Sequence, residues 1–279
     1  MNGAARRRYH GLVTHRMTAL ALSFLSVTLL VSGCSGEEET KKTELAPLAL
    51  KEQTSSVVQA SGGYLVNWAA VLNNGNKWHF GENAVATITG KDAAGKEVVR
   101  MEQPLDAVAP GGSLAFTGEA LAVEKPVSVK IDYKPASWHQ AARVPSAYKT
   151  FPVTRVSTEK LGATSYLITG YVESPYTRPA GSLVVTGLLR DAAGKLIGGG
   201  TAFVDDVRPG ASRRFIITVE SVSAGVAAAT AVTARTWGAT AKPYEDLAAG
   251  GAAPIFTQAP KTAPFAKDRG YTVITEQKP

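Results

Sequence analysis

Cysteine occurs once in the 279 residues, at Cys34. No intramolecular disulfide is possible, and four-cysteine or Cys2His2 metal sites are excluded. The fold must therefore hold by its core alone. Histidine is nearly as scarce: past residue 33 only His79 and His139 remain. Neither stands in a metal-ligand motif, so no metal and no cofactor are expected. There is no Gly-x-Ser-x-Gly nucleophile elbow. The glycine run Gly198-Gly199-Gly200 is followed by Thr201, without the spacing of a phosphate-binding loop, and reads as a bulge or a close-packed strand. Asp205-Asp206 has no further oxygen ligands at calcium-loop spacing and reads as a solvated turn. Nowhere do ~20 apolar residues run together, as a membrane-crossing helix needs.

The longest apolar run is Ala19 to Val31. Arg6, Arg7, Arg8 and Arg16 precede it, and no acid occurs in residues 1–33. A basic region, a short apolar region and small residues at a boundary describe a secretory signal peptide. Arg7-Arg8 invites a twin-arginine reading, but its neighbours do not match that pattern. The formal charge of +7 falls to +3 once those four arginines leave with residues 1–33. So balanced a surface is no footprint for nucleic acid.

The boundary itself, Val31-Ser32-Gly33-Cys34, resembles the bacterial lipobox. That resemblance implies a diacylglycerol on the Cys34 thiol and cleavage that makes Cys34 the first mature residue. Membrane lipid is then the partner at Cys34, and the chain is expected on the extracytoplasmic side of the cell membrane. Residues 34–46 are small and charged, without apolar periodicity, and read as a flexible acidic tether.

The mature chain contains an internal repeat. The segment Asp-Ala-Ala-Gly-Lys occurs at Asp92–Lys96 and again, 99 residues later, at Asp191–Lys195. At the same offset Pro110-Gly111 meets Pro209-Gly210, Phe116 meets Phe215, Val127 meets Val226, and Trp138 meets Trp237. A period of this length is domain-sized. In Val127–Lys134 apolar and polar residues alternate strictly, the signature of a strand with one buried face. Its counterpart, Val226–Arg235, is rich in alanine, yet the repeat predicts the same strand there. Ser165–Ser174 reads as a further strand, and Asp-Ala-Ala-Gly-Lys as a hairpin turn. Strands separated by turns at intervals of ~10 residues, with no helical stretch, predict an all-β fold of antiparallel sandwiches. Residues 47–140 and 150–245 are the expected tandem sandwiches. The prolines of Ser137–Pro152 mark a linker, and residues 246–279, rich in alanine and proline, read as an irregular tail. Phe116 and Phe215 should point inward on equivalent strands, and the two tryptophans should pack in the core or at the domain ends.

The unit resembles the immunoglobulin-like, FxLYD-type domains of bacterial lipoproteins. Of that pattern, Gly187-Leu188-Leu189-Arg190-Asp191 keeps the leucine and the aspartate, and Ile88-Thr89-Gly90-Lys91-Asp92 keeps the aspartate. Both copies keep the turn, the Pro-Gly and the following phenylalanine. The resemblance implies a non-enzymatic module of the cell envelope, bound to an envelope protein or a polysaccharide. Two other readings are a solute-binding lipoprotein of a transport system, which calls for alternating βα units, and an envelope hydrolase. One stretch, Asn73–Asn83, carries Trp78, His79 and Phe80 among turn-forming residues. It reads as a long loop whose aromatics either cap a sandwich or form a recognition site.

Overall fold

The computed structural model describes residues 44–251 and the backbone of one further short strand. The lipobox, Cys34 and most of the tether lie outside the described residues. In the first repeat the strands are β1 (Ala49–Ala60), β2 (Gly63–Asn73), β3 (His79–Glu82), β4 (Val85–Lys91), β5 (Glu97–Pro104), β6 (Ser113–Ala122), β7 (Ser128–Lys134) and β8 (Ser137–Gln140). The second supplies β9 (Val153–Lys160), β10 (Tyr166–Glu173), β11 (Ala180–Arg190), β12 (Leu196–Val207), β13 (Ala211–Val219) and β14 (Ala229–Thr236). Helix α1 (Lys242–Ala249) and β15 (Lys261–Thr262) follow.

The repeat in sequence is a repeat in topology. Sheet β1-β2-β6 of the first copy is matched by β9-β10-β13 of the second, and β5-β4-β7 by β12-β11-β14. All these pairings are antiparallel. Each pair of sheets faces inward on apolar side chains: Trp68, Leu72, Ile88, Leu114, Phe116 and Ile131 in one, Ile168, Leu183, Leu189, Phe215 and Ile217 in the other. Phe116 lies opposite Ala70, and Phe215 opposite Gly170. A Cβ on Gly170 would sit 2.6 Å from the Phe215 ring, so the small residue makes room for the large one. The two Asp-Ala-Ala-Gly-Lys turns are superimposable in their bonding. Asp92 Oδ1 accepts from the N–H groups of Ala94 and Lys96, and Asp191 Oδ1 from those of Ala193 and Lys195, all at 2.9 Å. Gly95 and Gly194 hold the left-handed φ of 82° and 79° that closes each turn.

Three expectations need correction. Ser137–Pro152 is not a bare linker: β8 pairs with β3, and a 3-10 turn follows at Pro145–Ala147. Lys242–Ala249 is a helix that crosses the expected boundary at residue 245, and it buries Tyr244, Leu247 and Ala248. Val127 is 63% exposed, because β7 begins one residue later and its inward residues are Ile131 and, in part, Val129 and Tyr133. The alanine-rich β14 does form as the repeat requires. β15 pairs in parallel with the start of β13, at Ala211 and Ser212.

The copies are not independent beads; the described chain from Glu44 onward belongs to one compact unit. The outer face of β1-β2-β6 packs on the outer face of β12-β11-β14. Ala69 and Ala115 meet Leu188 and Leu196 there. The consequence is plain in the burial of two equivalent strands. β4 alternates between covered and half-exposed residues, whereas β11 is buried without a break from Leu183 to Leu189. Polar groups frame the seam. Arg190 grips Glu52 through two nitrogens, at 2.5 and 2.9 Å, and holds the Glu52 carboxyl below the usual carboxylate range. Ser56 and Asn67 bond Ser221 at 2.6 and 2.9 Å. Arg235 bonds Asp106 at 2.8 Å, both side chains being 12% exposed. The glycine run lies at this seam as a close-packed strand: a Cβ on Gly199 would fall 2.5 Å from the Gly187 carbonyl and 3.1 Å from Thr117.

Phe116→Ala and Phe215→Ala should each cost about 3–5 kcal/mol of stability, the usual result of emptying a packed core. Urea unfolding of the two variants measures this; a cost below ~1 kcal/mol at both would place the rings outside the core.

Candidate functional site

The stretch after β2 is built from its asparagines. Asn74 is fully buried; its amide donates to the carbonyls of His79, Val108 and Ala109 at 2.7–3.2 Å, and its Oδ1 accepts the Asn76 N–H at 2.9 Å. Asn76 exchanges two hydrogen bonds with the backbone of Ala46, at 3.0 and 2.7 Å. The segment is thus a fixed corner, and its second half is strand β3.

The three candidate recognition residues separate. Trp78 is 54% exposed. His79 is half-buried on β3. Phe80 is fully buried and belongs to the core of the second repeat. A contact role for Phe80 is therefore corrected: alternation along β3 turns it inward, where cover comes from outside its own repeat. Its ring meets Tyr148 of the connecting segment edge-on at 4.9 Å and Tyr244 of α1 at 5.8 Å. The counterpart segment of the second repeat contributes Tyr176, 1% exposed, whose ring lies 5.7 Å from Phe151. The Tyr176 hydroxyl accepts the Lys149 N–H at 2.6 Å and donates to the Lys149 carbonyl at 3.2 Å. Five aromatic rings from four segments thus close the junction. His139 joins the same end: its Nε2 lies 3.1 Å from Glu245 Oε1, which also accepts the Ala142 N–H and so fixes α1 to the connecting segment.

A second feature had no signal in the linear sequence, because its residues meet only when the repeats pack. Where the two faces diverge they leave a cleft of about 630 Å3. Asn67 of β2 and Thr117 and Glu119 of β6 line one wall; β12 from Gly199 to Asp205 and the outward residues Arg214, Ile216 and Thr218 of β13 line the other, with Glu220 beside them. Thr117 and Thr201 share a hydrogen bond of 2.8 Å that joins the walls, and Thr201 lies 3.2 Å from Thr186. Gly118 keeps its wall thin; a Cβ there would lie 2.4 Å from the Trp68 indole. Phe203 lines the cleft and is 53% exposed, with Trp237, 60% exposed, edge-on at 6.4 Å. Trp237 therefore departs from the expected packing role: it follows the last residue of β14 and stands outside the core, while Trp138 is half-buried against the first core. Asp205 accepts the Ser182 hydroxyl at 2.7 Å, and Asp206 pairs with Arg208 at 2.7 Å. Among the described residues no group of three or more histidine, aspartate or glutamate side chains is placed to hold a metal ion. No described helix is long and apolar enough to cross a membrane.

No family model matches the chain, and no curated protein matches it. Among solved structures, the crystal structure of red sea bream transglutaminase is similar at 10% identity and a TM-score of 0.20. The match covers 67% of this chain and 31% of that one. A likeness this slight carries neither fold nor function across.

Phe80→Ala should cost about 3–5 kcal/mol, while Trp78→Ala should leave the melting temperature nearly unchanged. Thermal unfolding of the two variants tests the split. Alkaline titration tests the junction. Burial pushes the Tyr176 phenol up to about 12, against ~10 in an unfolded chain. The unfolded chain thus loses its proton first. The stability tied to the neutral phenol is intact below pH ~10 and is lost as pH rises toward ~12. Urea midpoints measured across that range should fall, and Tyr176→Phe should fall less steeply.

Proposed function

We propose that this chain is a lipid-anchored bacterial envelope protein whose paired sandwiches serve as a non-catalytic binding or scaffolding unit. The observation that carries the reading is the sole cysteine, placed at the end of a signal-like segment as Val31-Ser32-Gly33-Cys34. Membrane lipid is the partner at Cys34, and the sandwiches stand on the extracytoplasmic side. The architecture supports a binding role over the transporter-type alternative. Solute-binding folds alternate strands with helices, and the described residues hold one α-helix, eight residues long, after the last strand of the second repeat. The seam supports a rigid unit: apolar contacts, a bidentate ion pair and a shared aromatic junction leave no free hinge between the copies. A rigid scaffold presents a surface without the entropic cost of ordering it. The immunoglobulin-like, FxLYD-type kinship belongs to the same proposal and rests on the repeated turn, Pro-Gly and phenylalanine.

Cys34→Ala should abolish incorporation of labelled fatty acid and leave a longer, unprocessed precursor in the expressing cells. A variant that is still labelled and still shortened would overturn the lipid anchor.

A further inference from the structure

We infer that the cleft between the repeats is a saccharide site, taking a short, hydroxyl-rich oligosaccharide without negative charge. The inference deepens the binding role proposed above and rests on it. The volume of about 630 Å3 lies within the range of ligand pockets. Its lining is the wrong chemistry for an apolar ligand. A sugar ring presents hydroxyl groups around its rim, each able to donate and accept, and a face of C–H bonds. The cleft offers both kinds of partner. Glu119 and Glu220 are exposed carboxylate acceptors, Thr218 is a hydroxyl that does either, and Arg214 supplies donors. Phe203, 53% exposed, gives an aromatic surface for the C–H face, with Trp237 edge-on to it.

Charge narrows the class. With Asp205, three carboxylates and one guanidinium line the cleft, so an acidic glycan would be repelled. Geometry argues against an extended peptide. A peptide adding to β13 needs its open edge. β12 already lies over that edge, so closely that a Cβ on Gly200 would fall 2.7 Å from the Thr218 carbonyl, and β15 occupies it at Ala211 and Ser212. The side chains stand on strands locked by the seam, so the site is formed before anything binds.

Calorimetric titration of the purified full-length protein in detergent tests the inference with three probes. These are tetrameric N-acetylglucosamine, which is neutral; its deacetylated form, which is cationic; and tetragalacturonate, which is anionic. At least one of the first two should bind and the anionic one should not. Phe203→Ala should weaken binding by about tenfold or more with the melting temperature retained. Should that variant unfold, Glu119→Gln is the second test, and it should weaken the cationic probe at least about tenfold. Three results would each overturn the site: neither saccharide binding at millimolar concentration, binding indifferent to both substitutions, or preference for the anionic probe. A strand-forming peptide that binds where both saccharides fail would overturn it too. Hydrolysis of a bound probe would uphold the site but refute the non-catalytic reading. Because titration in detergent does not depend on the anchor, failure here leaves the Cys34 proposal standing, and the reverse also holds.

Discussion

Phe80 belongs in sequence to the first repeat and in space to the core of the second. Much else depends on that one ring. It needs β3 to turn it inward, β8 to hold β3, and α1 to cover it through Tyr244. Burying a phenylalanine from water is worth ~1.5–3 kcal/mol, and here that gain is available only if both repeats, the connecting segment and the helix are in place together. The junction therefore adds stability to the second sandwich that the first repeat supplies, although each has its own inward-facing side chains.

The seam away from the junction works by different means. Small residues, Ala69, Ala115 and the glycine run of β12, let two sheet faces approach closely. Paired polar groups then define the register. Buried ion pairs are weak sources of net stability, yet removing one partner is costly because it strands the other charge. Asp106 and Arg235, each mostly buried, meet that description. The cleft is the remainder of this docking: the walls touch at Thr117 and Thr201 and separate beyond them.

What was legible in the sequence is what is local or repeated. The turns were readable because aspartate bonds its own backbone and glycine alone tolerates the required φ. The inward phenylalanines and the alanine-rich β14 were readable because two copies must share one register. What failed was decided across the chain. Phe80 looks like any aromatic in a corner until α1 covers it. Lys242–Ala249 reads as the end of a sandwich and the start of a tail because it runs into a stretch rich in alanine, glycine and proline, which masks an eight-residue helix. Trp237 shares its register with Trp138, but register does not decide whether a neighbour covers the ring. One unused signal was present. Leu183–Leu189 lacks the alternation of its counterpart in the first repeat and is apolar but for Thr186 and Gly187, and a nearly continuous apolar strand is the mark of burial on both faces.

That contrast bears on where a substitution is felt. Asp92 and Asp191 answer to their own turns, so both copies are held to the same residue. Leu188 and Arg190 answer to Ala69 and Glu52 across the seam, while the matching Thr89 and Lys91 of the first copy look outward on a sheet that no other repeat covers. A change at Leu188 or Arg190 is therefore felt by both copies at once, whereas a change at Asp92 or Asp191 is felt by the turn that holds it.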